Sequence, residues 1–392
     1  MPNSLTRAIW DSQPIIRWLM TDGRRILGSN DFLDAFALCL RRAGIDVTRM
    51  TTGVPILHPQ IFSFSGLWVL GKGASERLYR ADGSQSSILG NSPIKIAYEG
   101  NAVRIRLTAA DNPEFPIVND LRRDGITDYL VLPVPFSDGT YKALSLATTK
   151  TEGFSDSEVE LFEAMIPAVS FNLEVQALRR TARTLLDTYV GRQSGGRVLD
   201  GQIRRGMGET IRAAIWLCDL RGFTSLSEAL PRDALIEMLN QYFGPMCDAV
   251  ESNGGEVLKF IGDAMLAIFP VVDDPATACH QALSAARRVE DALVKVNGLR
   301  ATGSLPPINY GIALHFGDVI YGNIGSDTRL DFTVIGPAVN LTARIESLCR
   351  DLARSLLLSA DFAQIAAIKS TSLGEFSLKG VGTKQQVFAP SA

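Results

Sequence analysis

The chain lacks most of what would tie it to a membrane, a disulfide framework or a nucleic acid. No apolar run approaches the ~18 residues needed to cross a bilayer. The opening MPNSLTRAIWDSQP has no charged stretch leading into an apolar core, so no signal peptide is expected. Five cysteines, Cys39, Cys218, Cys247, Cys279 and Cys349, occur without CxxC or Cys/His ligand spacing. That scatter suits a reducing compartment and argues against structural disulfides or a zinc site. A net charge of -3 gives no basic footprint for nucleic acid or a membrane surface. The expectation is a cytoplasmic protein with no nucleic-acid partner. What is present, 46% hydrophobic and 21% charged residues over 392, is an ordinary globular composition with room for two or three cores.

The order of patterns divides the chain. FLDAFALCLRRAG (residues 32–44) reads as a helix ending at a glycine stop. IFSFSGLWVL, AVRIRLT, DYLVLPVPF and TYKALSLAT read as strands separated by turn residues. The turn around Ser137-Asp138-Gly139 makes a hairpin of the last two. A capping box, Ser155 to Glu158, opens the next helix. Helix, antiparallel strands and helix make one α+β domain, assigned residues 1–170. Phe171, Val175, Leu178, Ala182, Leu185 and Tyr189 then follow coiled-coil spacing. This seam pairs two subunits or packs on its own domain, and it leads into the glycine-rich GRQSGGRVLDG, read as a hinge. Coiled coil and hinge occupy residues 171–208.

A second domain, residues 209–392, opens with the buried-strand pattern IRAAIWLCDL. A helix is expected over residues 232–252, with Leu235, Met238, Leu239, Tyr242, Met246 and Val250 on one face. EVLKFIG and AMLAIF form a hairpin, and residues 275–296 a further helix. INYGIALHF and DVIYGNIG are expected as two strands joined at Gly317-Asp318. A helix over residues 338–351 and a last hairpin in FSLKGVGTKQQVFA complete the domain. The order βαββαβ implies a ferredoxin-like sheet with helices on one face.

Two carboxylates stand out, because a strand buried in a sheet should be a near-continuous apolar run. Asp219 ends one such strand, and Asp263 sits in the corner of the EVLKFIGDAMLAIF hairpin. Brought side by side, two aspartates can hold divalent cations. Gly222, Phe223 and Thr224 follow Asp219 at the start of a helix, where a tight backbone and free N–H groups suit phosphate oxygens. Each segment alone reads equally well as a turn or a cap.

Four segments together resemble the catalytic domain of class III nucleotidyl cyclases: CDLRGFTSLSE, GGEVLKFIGDAMLAIF, YGIALHFGDVIYGNIGS and DFTVIGPAVNLTARIES. The resemblance implies that Asp219 and Asp263 bind two Mg²⁺ or Mn²⁺ per active site. It implies that Lys259 and Thr333 contact the purine, Asn340 the ribose, and Arg344 the charge developing on phosphate. Asn340 and Arg344 are one helical turn apart, on a face distinct from Leu341, Ile345, Leu348 and Leu352. The triphosphate lysine of the family maps to Lys379, with Lys384 as the alternative. Where many members carry aspartate this chain has Thr333, a Lys/Thr combination that the resemblance associates with adenylyl cyclases, often responsive to bicarbonate. The implied function is ATP to 3′,5′-cyclic AMP and pyrophosphate, in a homodimer whose sites are shared between subunits. A guanylyl cyclase and a catalytically silent nucleotide-sensing dimer are the alternatives.

The first domain resembles a GAF-type sensor in pattern, through DYLVLPVPFSDGTYKALSLAT and FSDSEVELFEAM. That implies a small-molecule regulator or a dimerisation role. His58 is a candidate haem ligand or a structural histidine; His280 and His315 lack partners at metal spacing and read as structural. Trp68 and Tyr79 line a pocket or fill the core, and the core reading is favoured.

Overall fold

The computed structural model describes residues 13–55, 61–80, 91–109 and 115–391. These fall into two compact units that divide between Leu185 and Leu186. No helix among the described residues is long and apolar enough to cross a membrane.

The first unit holds helices α1 (Gln13–Met20), α2 (Asp22–Arg25), α3 (Ser29–Arg42), α4 (Pro93–Tyr98) and α5 (Pro116–Arg123). Its strands are β1 (Arg49–Pro55), β2 (Ile61–Val69), β3 (Gly73–Arg80), β4 (Val103–Arg106), β5 (Asp128–Pro135) and β6 (Tyr141–Thr148). They form one antiparallel sheet in the order β3-β2-β1-β6-β5-β4. Alternation along β5 loads both faces. Leu130, Leu132 and Val134 join α3 and the long helix α6 (Asp156–Tyr189), whereas Tyr129 and Val131 join α4 and α5. The capping box forms as expected: Glu158 accepts from Ser155 N at 2.7 Å, and Ser155 Oγ accepts from Glu158 N at 3.2 Å. At the β5–β6 hairpin, Phe136 N bonds to Thr140 O at 2.9 Å. Helix α6 runs 34 residues, and Phe171, Leu178, Leu185 and Tyr189 of the heptad seam stay exposed on it.

The second unit contains α7 (Arg192–Leu199), β7 (Gly208–Leu220), α8 (Phe223–Ala229), α9 (Arg232–Ser252), β8 (Glu256–Ile261), β9 (Ala264–Pro270) and α10 (Pro275–Thr302). It continues with β10 (Tyr310–Gly325), β11 (Leu330–Ile335), α11 (Pro337–Asp351), β12 (Leu356–Ser359), α12 (Ala360–Ala366), β13 (Ser370–Phe376) and β14 (Gln385–Pro390). The sheet order is β13-β14-β12-β10-β7-β9-β8, with β11 paired to β10. Met238, Tyr242, Met246 and Val250 of α9 and Ala278, Ala282 and Val289 of α10 cover one sheet face through Trp216, Cys218, Met265 and Phe269. A second core, on other side chains of the same strands, joins Ile215, Leu258, Tyr321, Phe332 and Val334.

Two local expectations differ from the structure. INYGIALHF and DVIYGNIG are not two strands but one, β10, sixteen residues long. Gly317-Asp318 does not turn, because Ala213 and Arg212 of β7 pair with both residues. Strand pairing overrides the local turn preference of a Gly-Asp dipeptide. The GRQSGGRVLDG segment, read as a hinge, contains the helix α7, with Ser194 and Gly195 buried. Its glycines disfavour a helix in isolation, so tertiary contacts must hold it.

Candidate active site

Asp219 is the penultimate residue of strand β7, and Asp263 lies in the β8–β9 corner; register brings them together. Cys218 pairs with Met265, one residue from Asp219 and two from Asp263. Burial first, then the charge of Asp263 and a hydrogen bond between the two carboxyls, push Asp219 up to about 6. Leu220 N donates to Asp219 Oδ1 at 3.0 Å and fixes one lobe of that carboxylate. Glu346 of α11 is pushed up to about 7 by burial and by the charge of Asp219, against the opposing pull of Arg221 and Arg350. At both carboxyls like charge thus adds to the effect of burial. Among the described residues no three His, Cys, Asp or Glu side chains gather as a metal cage. A pair of carboxylates fits hard divalent cations that take their remaining oxygens from a ligand.

The loop after Asp219 is tied down from the far side. Arg221 donates to Cys349 O, in the last turn of α11, at 2.8 Å and to Arg354 O, just beyond that helix. Gly222 then adopts φ +74, which L side chains rarely take, with open space where a Cβ would stand. Phe223 begins α8, a helix of only seven residues, and Thr224 is exposed on it.

Lys259 of β8 meets β11 instead of the metal pair. Its ammonium is ion-paired with Asp331, two residues before Thr333 on the same strand face. Thr333 is 4% exposed, and among the described residues its hydroxyl has no hydrogen-bond partner. A buried hydroxyl normally finds one. Asp331 was missed in the sequence; its position two residues from Thr333 was the available signal. Asn340 and Arg344 are exposed on α11, with neither side chain bonded among the described residues. Ala338, Thr342, Ile345 and Cys349 form the buried face of that helix. Leu341, Leu348 and Leu352 pack at its margin. Lys379 and Lys384 are both exposed in the loop between β13 and β14.

The other candidates divide simply. His315 is buried against Ser359 at 2.8 Å, and burial lowers its pKa to about 4. His280 Nε2 contacts Ala366 O at 2.7 Å. Trp68 is core. His58 lies outside the described residues, as does the side chain of Tyr79.

The profile of the adenylate and guanylate cyclase catalytic domain matches residues 207–389. An adenylate cyclase of Anabaena cylindrica is 42% identical over 161 residues, 40% of this chain and 31% of that protein. The terminal-differentiation specific adenylate cyclase of Dictyostelium discoideum is 32% identical over 166 residues, 42% of this chain and 8% of its own length. Among solved structures, the adenylyl cyclase CyaB from P. aeruginosa is 28% identical, with 47% of this chain and 96% of that one covered at a TM-score of 0.44. The guanylyl cyclase Cya2 is 32% identical, with 46% and 92% covered at 0.42. The chain spans about a third of the first curated relatives it matches, 31% and 39% of their lengths. Residues 207–389 belong to the class III adenylyl/guanylyl cyclase catalytic domain family.

Proposed function

We propose that the protein is an adenylyl cyclase, forming 3′,5′-cyclic AMP and pyrophosphate from ATP. The observation that carries this reading is the buried, unpartnered Thr333 hydroxyl on the strand that also holds Lys259 through Asp331. An ammonium only donates hydrogen bonds, whereas a hydroxyl donates and accepts. Adenine N1 accepts, which suits Lys259, and the adenine amino group donates, which suits Thr333. Guanine presents N1–H to Lys259, donor against donor. Guanine O6 can still accept from the Thr333 hydroxyl, so a guanylyl cyclase is the second reading.

Asp219 and Asp263 would hold two Mg²⁺ or Mn²⁺ together with the triphosphate. Bound there, such cations lower the pKa of the ribose 3′-hydroxyl and neutralise charge on the departing pyrophosphate. Leu220 N keeps the Asp219 carboxylate oriented for that task. Asn340 orients the ribose, and Arg344 stabilises charge developing at the α-phosphate from a preorganised position. Lys379, or Lys384 in the same loop, grips the triphosphate. Gly222, Phe223 and Thr224 let the backbone after Asp219 lie close to phosphate oxygens.

Among the described residues Asn340 and Arg344 have no side-chain partners, whereas Asp219 lies near Asp263, Glu346 and Arg350. This supports an isologous homodimer in which one subunit supplies the aspartates and the other the base, ribose and phosphate contacts. The exposed seam on α6 is a surface that a second copy can cover. The antiparallel order of the first sheet supports a GAF-like regulatory role for that unit. Likewise β10-β7-β9-β8 is the order of a ferredoxin-like core. Purified protein is incubated with ATP or GTP and Mn²⁺, and products are separated chromatographically. Cyclic AMP is expected, and absence of any cyclic product rejects the enzyme. Mixing Asp219→Ala with Arg344→Ala protein should restore about a quarter of wild-type sites if subunits pair at random. No recovery in exchanging mixtures sinks the shared site.

A further inference from the structure

One buried carboxylate has no part in the chemistry above. Glu256 begins β8, three residues before Lys259, and is 4% exposed. Its Oε1 accepts from Ser194 N at 2.8 Å and from Ser194 Oγ at 2.6 Å. Its Oε2 accepts from the Tyr321 hydroxyl at 2.7 Å. Burial and the Glu256 charge push the Tyr321 pKa well up, so its proton stays in place as donor. Arg197 lies over the Tyr321 ring, 4.7 Å from its centroid, and ion-pairs with Glu209. A buried carboxylate left without donors is costly. Helix α7, which carries Ser194, is therefore held in one docked position.

The packing around this hook is selective. Gly191 opens α7 at φ +96, and a Cβ there would lie 3.1 Å from Val257 O, so the backbones touch. Val190, just before α7, and Val198, within it, pack on the core of Leu258, Tyr321, Phe332, Val334 and Ala338. Leu258 precedes Lys259, Phe332 and Val334 flank Thr333, and Ala338 is two residues from Asn340. Phe332 meets Tyr321 edge-on, at 4.8 Å and 90°. Cys218 and Leu220, which flank Asp219, belong to the other core, under α9 and α10.

We propose that Glu256 is a positioning residue for base recognition. By clamping α7 on β8 and β10 it sets the separation of Lys259 from Thr333, and with it KM and base choice, leaving the metal pair undisturbed. This rests on the cyclase reading given above. The test uses the full chain, wild type against Glu256→Gln, Tyr321→Phe and Ser194→Ala. Steady-state kinetics with ATP and GTP are combined with hydrogen exchange of the amides of residues 332–334 and 213–218. In Glu256→Gln and Tyr321→Phe, KM for ATP should rise about three- to tenfold, with kcat and the Mn²⁺ half-saturation changing less than about twofold. The ATP:GTP preference should fall, and exchange should quicken at residues 332–334 and stay slow at 213–218. Ser194→Ala removes only the Oγ donor, keeps the backbone N–H and Tyr321 donors to Glu256, and should shift the same quantities less, which guards against misfolding of the stronger variants. A loss confined to kcat, or unchanged exchange at 332–334, overturns the proposal. A wild type that makes no cyclic nucleotide refutes the cyclase reading instead, and the exchange data then decide the clamp alone.

Discussion

Charge is handled in opposite ways at the two halves of the candidate site. At the metal half, Asp219 and Asp263 are like charges in mutual contact, and burial raises Asp219 to about 6. At the base half, Lys259 is already neutralised by Asp331, beside a hydroxyl that has nothing to bond. The first half stores an unmet demand for positive charge, and the second stores an unmet hydrogen bond. Cations should therefore control whether the reaction runs, and the purine should control how tightly substrate is held.

The largest effect should come from removing the metal half. Asp219→Ala or Asp263→Ala, or chelation of divalent cations from the wild type, should lower turnover by about 10³-fold or more. Only the chelated wild type should recover when Mn²⁺ is returned. Next, Arg344→Ala should lower kcat by about 10²-fold with a small change in KM, as expected for a group that acts on transition-state charge. A KM effect alone would place Arg344 in ground-state binding. A smaller effect is expected at the base half: Asp331→Asn frees the Lys259 ammonium and should raise KM for ATP about threefold, the scale of a partly exposed ion pair. An unchanged KM would leave Asp331 out of the site.

The smallest effect is one of stability, and its sign is unusual for carboxylates. Asp219 and Glu346 hold protons in the fold at pH values where the unfolded chain has lost them, because their pKa values rise to about 6 and about 7. Their stabilisation is complete below the ordinary carboxylate range and is lost as pH rises through 6 to 7. Metal-free protein should thus melt at a lower temperature at pH 7.5 than at pH 5.5 by this contribution. Asp219→Asn should remove part of the difference, on the order of 1 kcal/mol after solvent screening. Added Mn²⁺ should raise the melting temperature of the wild type but not of that variant. Equal melting curves for the two metal-free proteins would mean the repulsion is relieved elsewhere.

Legibility in the sequence followed how local each determinant was. The capping box at Ser155 and the helix over residues 232–252 were readable because their signals lie within a few residues. Asp219 and Asp263 were conspicuous because carboxylates interrupt apolar strands. Strand β1 and strand β3 escaped, since Thr, Ser, Gly and Arg fill positions that only pairing makes extended. Helix α7 escaped for the same reason: Glu256, 62 residues beyond Ser194, supplies the contact that offsets two glycines. Asp331 lay inside a quoted motif, but its link to Lys259 spans 72 residues and has no local signature.

Strand β10 has a consequence for how this domain can change over time. It pairs without interruption along β7, placing Gly311 opposite Asp219. On its other edge, toward its far end, it places Gly322 opposite Thr333. Side chains on a strand alternate between faces, so shifting the pairing by one residue turns every one of them over. Insertion of a single residue between Gly311 and Gly322 would reverse the phase of one half of the site relative to the other, whereas two residues would restore it. The spacing of the two halves is therefore quantised in pairs of residues, and point substitution, not length change, is the route by which this strand can drift.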